Sequence, residues 1–176
     1  TTPSASQSKT SPLVIRSAIV ASLGGLLFGF DTAVISGAEE KLKELYALSA
    51  VGEGMIVAIA TIGTILGAIV AGRLADRHGR KPILFVIGIL FGVGALTTAL
   101  APTPELVTAA GGTLTAASSL PITYFLFFRF LGGVGVGMSS VVAPIYTAEI
   151  APARVRGRLV GLVQFNIVFG ILLAYA

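Results

Sequence analysis

Residues 54–72 read GMIVAIATIGTILGAIVAG, and residues 73–81, which follow directly, read RLADRHGRK. The first stretch carries no charge. At about 1.5 Å per residue it is long enough, as an α-helix, to cross the ~30 Å hydrocarbon core of a bilayer. The second ends the apolar run abruptly with Arg73, Arg77, Arg80 and Lys81, gathered within one short turn. An uncharged run that stops at a basic loop is the pattern of a transmembrane helix reaching the cytoplasmic face.

Four further stretches meet or approach the same length. One runs from about Arg16 to Ser36 and is broken by Asp31; another lies within Pro82 to Pro104. A later one runs from Pro121 to about Tyr146, interrupted by Arg129, and the last starts after Arg158 and is still apolar at Ala176. The uncharged segment Val107 to Leu120 is dominated by Ala, Gly, Ser and Thr and runs into Pro121, so it reads as an outer loop. Residues 1–11, rich in Ser and Thr, read as a flexible cytoplasmic tail without the basic, apolar, small-residue order of a secretory signal. The expected organisation is therefore a tail over 1–11 and a transmembrane helical bundle over 12–176, truncated in its fifth span. The fold class is an all-α membrane protein.

Composition agrees. Only 11% of residues are charged and 55% are hydrophobic, with a mean hydropathy of +0.93. A water-facing globule needs about 25% charged residues, so lipid is the expected solvent. The net charge of +4 does not indicate nucleic acid, because the cations cluster between apolar runs rather than along one face. There is no cysteine, and the single histidine, His78, sits among arginines. No metal site, cofactor or catalytic constellation is expected. Orientation follows from the cations. Lys9, Arg16, Arg73, Arg77, Arg80, Lys81, Arg154, Arg156 and Arg158 fall on one side, against Lys41 and Lys43 on the other. The positive-inside rule puts the N-terminus in the cytoplasm.

The spans carry Gly-xxx-Gly pairs at Gly25/Gly29, Gly63/Gly67, Gly88/Gly92 and Gly133/Gly137. Small residues one turn apart let helix backbones approach closely where lipid provides no hydrophobic drive. The run from Gly132 to Gly137 also has glycines at alternate positions, but it follows no strand and is not a dinucleotide fingerprint.

Asp31 and Arg129 are the two residues that composition does not explain, since each costs roughly 2.5–3.5 kcal/mol at the centre of a membrane helix. Counted from the ends assigned above, Asp31 lies roughly 8 Å and Arg129 roughly 12 Å below the outer surface. They can meet if their helices touch; the alternative is that both snorkel to the interface. A carboxylate beside a mobile cation can serve as a proton switch. The cation favours the charged form, and burial without it favours the protonated one.

The loop from Gly72 to Lys81 has the pattern Gly, three residues, Asp-Arg, one residue, Gly-Arg-Lys. It resembles the signature between the second and third helices of the major facilitator superfamily. Leu131, Gly133, Val134, Gly137, Tyr146, Glu149 and Arg156 stand at the spacings of a sugar-porter pattern within it. The opening Gly24 to Gly37 is similar to that of bacterial sugar/proton symporters. The resemblance covers residues 12–176. It implies the first five helices of the N-terminal six-helix half of a twelve-helix fold, in which each half is two inverted three-helix repeats. Substrate would lie near the midplane, between this half and the C-terminal half, which is absent here.

By the same resemblance, Asp31 stands at the proton-coupling position with Arg129 as its partner. Phe28 stands at an aromatic position of the sugar site, and Gln164 at a glutamine that hydrogen-bonds sugar hydroxyls. A buried amide suits that task, since it both donates and accepts; read without the family, Gln164 could equally satisfy a neighbouring helix. Ile171 stands where xylose-type members carry a second glutamine and glucose-type members isoleucine, which favours a hexose over a pentose. Asp76, Arg80, Glu149 and Arg156 fall on a cytoplasmic charge network that holds the inside closed. The implied activity is monosaccharide/proton symport by alternating access, with the bilayer, a sugar and a proton as partners. An uncoupled sugar facilitator, a non-transporting sugar sensor on the same fold, a drug antiporter and a membrane enzyme are the alternatives. The fifth span lacks the Gly-Pro pair usual in the antiporters, and no catalytic set is present for the enzyme.

Overall fold

The computed structural model describes residues 12–46, 49–101 and 114–176. Five α-helices make up the described chain: α1 Pro12–Tyr46, α2 Ala50–His78, α3 Arg80–Ala99, α4 Leu114–Ile150 and α5 Arg156–Ala174. Each is long and apolar enough to cross a membrane, so the chain is a multi-pass membrane protein. The tail over 1–11 and the first half of the 107–120 segment, residues 107–113, lie outside the described residues.

Three helices are longer than the sequence reading gives; α2 runs from Ala50 to His78, so residues 50–53 and 73–78 are helical as well. The first continues past Ser36 for ten more residues, to Tyr46. Ala38, Glu39, Glu40, Lys41, Leu42, Lys43 and Glu44 are almost all strong helix formers, and Lys43 lies in the last turn, where a cation suits the helix dipole. A helix of 35 residues spans about 52 Å at the usual rise, well beyond the hydrocarbon core. Its polar last turns therefore stand clear of the lipid. The fourth helix starts at Leu114, so residues 114–120 are helical and not loop. Leu114, Ala116, Ala117 and Leu120 favour helix, and Pro121 is accommodated inside it.

The turn between α2 and α3 is one residue long. Gly79, at φ 87° and ψ 157°, closes α2 through its N–H to the Ala75 carbonyl (2.9 Å) and opens α3. That backbone region is essentially restricted to glycine. Gly79→Ala is expected to cost about 1–3 kcal/mol of stability, read as a lower unfolding temperature in detergent. An unchanged temperature would show that the turn relaxes freely.

The fourth helix is the axis of the bundle. Half of its spanning window is buried, against 17–28% for the other four. It packs on α2 and α3, and more lightly on α1 and α5, while α1 packs chiefly on α5. Ala71, Ala75, Ile83, Ile87, Phe91, Val136, Met138 and Val142 form the main core where α2, α3 and α4 meet.

The two tightest seams repeat one another. A Cβ on Gly25 or Gly29 of α1 would strike the backbone carbonyl of Val163 or Ile167 on α5, and one on Gly170 would strike that of Leu26. In the seam between α4 and α2, Gly133 and Gly137 meet Ala60 and Thr64, and Gly67 meets Val134, in the same way. Gly25, Leu26 and Gly29 thus take the places of Gly133, Val134 and Gly137, while Val163, Ile167 and Gly170 take those of Ala60, Thr64 and Gly67. Three of the four Gly-xxx-Gly pairs therefore pack helices. Gly88/Gly92 does not: a Cβ on either glycine would meet nothing within 4 Å.

Candidate functional site

Asp31 and Arg129 face each other across α1 and α4. Arg129 Nη1 donates to Asp31 Oδ1 at 2.8 Å. Burial is uneven, with the arginine side chain 10% exposed and the carboxylate 40%. Arg129 Nε is buried without a hydrogen-bond partner. The pair lies on the wall of a cavity of about 480 Å³ whose lining is otherwise apolar but for Thr98, with Phe30, Phe91, Phe125, Phe128 and Gly132 around it. Neither group snorkels away from the other. Chemically this is a carboxylate whose counter-ion could leave it, with a guanidinium already short of one bond.

A second recess, of about 240 Å³, opens between α1, α4 and α5. Phe28 and Gln164 both line it, with Ser139, Ser140 and Pro144 from α4. Its walls therefore offer an aromatic surface, a donor–acceptor amide and hydroxyls. Pro144, inside the helix, lacks the N–H that would bond the Ser140 carbonyl, and so leaves an extra acceptor on α4. Two of the expected residues stand outside its interior. Gln164 is exposed, because it stands on the open rim of the recess and not within the bundle. Ile171, two turns further along α5, is also exposed (36%) and is not among the residues lining the recess.

At the far end of α2, Arg80 joins three helices. Its Nη2 lies 2.8 Å from Asp76 Oδ1 and its Nε 3.0 Å from Glu149 Oε1, while Nη1 donates to the Ala75 carbonyl at 3.1 Å. Glu149 sits in the last turn of α4, where a negative charge opposes the helix dipole, and the arginine offsets it. Asp76 and Glu149 are well exposed. Each pair is therefore worth about 0–1 kcal/mol, a latch that opens at little cost. Arg156, expected in the same network, lies exposed in the first turn of α5. No ion pair joins it to these residues among the described contacts.

One polar contact was not foreseen. Asn166 Nδ2 donates to Ser22 Oγ at 2.7 Å and to the Ser22 carbonyl at 3.1 Å, tying α5 to α1. An uncharged asparagine on an apolar helix carries the general signal of an interhelical hydrogen bond, but only coordinates can supply its partner.

A glycine-packed helical bundle with an ion pair in its interior and a small polar recess beside it is the architecture of a major facilitator transporter. The "Sugar (and other) transporter" family matches residues 17–176, and the chain belongs to that family. It is 43% identical over 157 residues to a glucose transport protein of Synechocystis sp., covering 88% of this chain and 29% of that protein. To the D-xylose-proton symporter of Escherichia coli it is 40% identical over 172 residues, covering 89% of this chain and 34% of the relative. The structure of a major facilitator proton:xylose symporter bound to 6-bromo-6-deoxy-D-glucose matches with a TM-score of 0.80 at 37% identity, over 95% of this chain and 37% of that one. The chain spans about a third of the length of these relatives.

Proposed function

We propose that the protein carries a monosaccharide together with a proton across the cell membrane by alternating access, with its N-terminus in the cytoplasm. In this reading these five helices supply the proton-coupling pair and one wall of the sugar site, and a C-terminal half supplies the other wall. The observation that carries it is the 2.8 Å Asp31–Arg129 pair. A titratable carboxylate held by a buried cation is expensive inside a membrane, and such groups mark ion and proton paths.

The sugar-binding part rests on the recess. At about 240 Å³ it falls below the roughly 300–1,000 Å³ of drug-sized clefts, a scale that suits a monosaccharide. Gln164 would hold sugar hydroxyls and Phe28 would pack against the ring. The proteins similar to this chain are named for glucose and for xylose with a proton. Ile171 tilts the choice towards a hexose. Arg80, Asp76 and Glu149 would close the cytoplasmic side in one state and part in the other, with Arg156 joining them only when the halves meet.

Reconstituted full-length gene product should accumulate labelled glucose when an inward proton gradient is imposed, and should lose that accumulation with a protonophore. Uptake that only equilibrates, gradient or none, would make the protein a facilitator. Gln164→Ala is expected to raise KM for the sugar about tenfold, the worth of one or two lost hydrogen bonds. An unchanged KM would remove Gln164 from the site.

A further inference from the structure

The two glycine seams differ at one place. Where Gly63 of α2 meets the Phe130 carbonyl backbone to backbone, the equivalent point of the α1–α5 seam holds Asn166 and Ser22. There a side chain bridges the helices. Asn166 Nδ2 donates to both oxygens of Ser22, and Ser22 Oγ passes the chain on to the Ile19 carbonyl at 2.8 Å. Ser22 is only 1% exposed. The rest of this seam is glycine against backbone, which holds the helices close and gives them no directional bond.

Taking Gln164 as a sugar ligand, as argued above, we propose that Asn166 is its positioning residue. The bonds to Ser22 fix the rotation of α5 about its own axis, and so aim Gln164 at the recess it shares with Phe28. Asn166 and Gln164 are two residues apart, so they point about 200° from one another around the helix. A side-chain tip lies about 5–6 Å from the helix axis, so each 30° of rotation moves it by about 3 Å. That displacement is larger than any hydrogen bond tolerates. The seam without such a bridge belongs to α2, where Thr61 stands at the place equivalent to Gln164.

The test is transport kinetics of the full-length protein with the parent sugar and its deoxy analogues, among which the analogue indifferent to Gln164→Ala reports the hydroxyl that Gln164 holds. Asn166→Ala should raise KM for the parent sugar about five- to tenfold and change kcat less than about twofold. It should barely affect that analogue, and it should add nothing in a double variant with Gln164→Ala. Ser22→Ala removes one of the two acceptors and should give a smaller increase of the same kind, which keeps the test open if Asn166→Ala folds poorly. Penalties that add in full, or a fall in thermal stability with KM unchanged in both variants, would make the bridge purely structural and overturn the inference. If Gln164→Ala itself leaves KM unchanged, the sugar-site reading fails and takes this inference with it. If Gln164→Ala raises KM while Asn166→Ala and Ser22→Ala do not, only the inference fails.

Discussion

Asp31→Asn is expected to abolish uphill accumulation of sugar while leaving exchange of labelled for unlabelled sugar across the membrane. The amide keeps the shape of the carboxylate and can still accept a hydrogen bond from Arg129 Nη1. It cannot take up and release a proton. Accumulation should fall at least about tenfold, to the level set by equilibration, with counterflow within about twofold of wild type. The stability cost should be modest, about 1–3 kcal/mol: less than for a wholly buried pair, because the carboxylate is 40% exposed, but real, because a buried guanidinium already lacking one partner loses its counter-charge. Proteoliposomes with an imposed gradient, assayed beside counterflow, separate the two activities. Undiminished uphill uptake by the Asn variant would assign proton coupling to another group.

The largest structural effect is expected at Gly29. Any side chain there must enter the backbone of Ile167, which a neighbouring rotamer change cannot relieve. Gly29→Val should therefore cost at least about 3 kcal/mol, the upper end of overpacking penalties, and should appear as loss of monodisperse protein after extraction. Gly88→Val is the internal control. The same substitution there meets open space and should stay within about 0.5 kcal/mol of wild type. Equal damage at both sites would mean that glycine matters for backbone flexibility rather than for close approach.

Those two glycines also show what the sequence could and could not reveal. Gly25/Gly29 and Gly88/Gly92 look alike as strings, since both are glycines one turn apart in apolar runs. Which of them faces a neighbour depends on the rotation of each helix in the bundle, a tertiary property that local pattern does not carry. The spans themselves were legible, because the expense of a charge in lipid leaves unmistakable gaps in the charge distribution. So was the meeting of Asp31 with Arg129, since the same expense leaves two buried opposite charges few other stable solutions. Helix ends beyond the lipid were less legible. Ala38 to Glu44 is polar and so marks the end of a span, yet its residues favour helix, and the helix runs on. The ends of α4 erred for a related reason, Pro121 being read as a boundary when a long, well-packed helix absorbs it. The Asn166–Ser22 bridge lay beyond reach, since many partners on several helices were open to either residue.

Gly79 has a mechanical consequence. Two rods of membrane length are joined by a single residue confined to a narrow backbone region, and Arg80 links the joint to the end of α4 through a weak, exposed ion pair. There is no slack in such a joint to absorb a tilt. Any force that rocks α2 therefore reaches α3 across one residue.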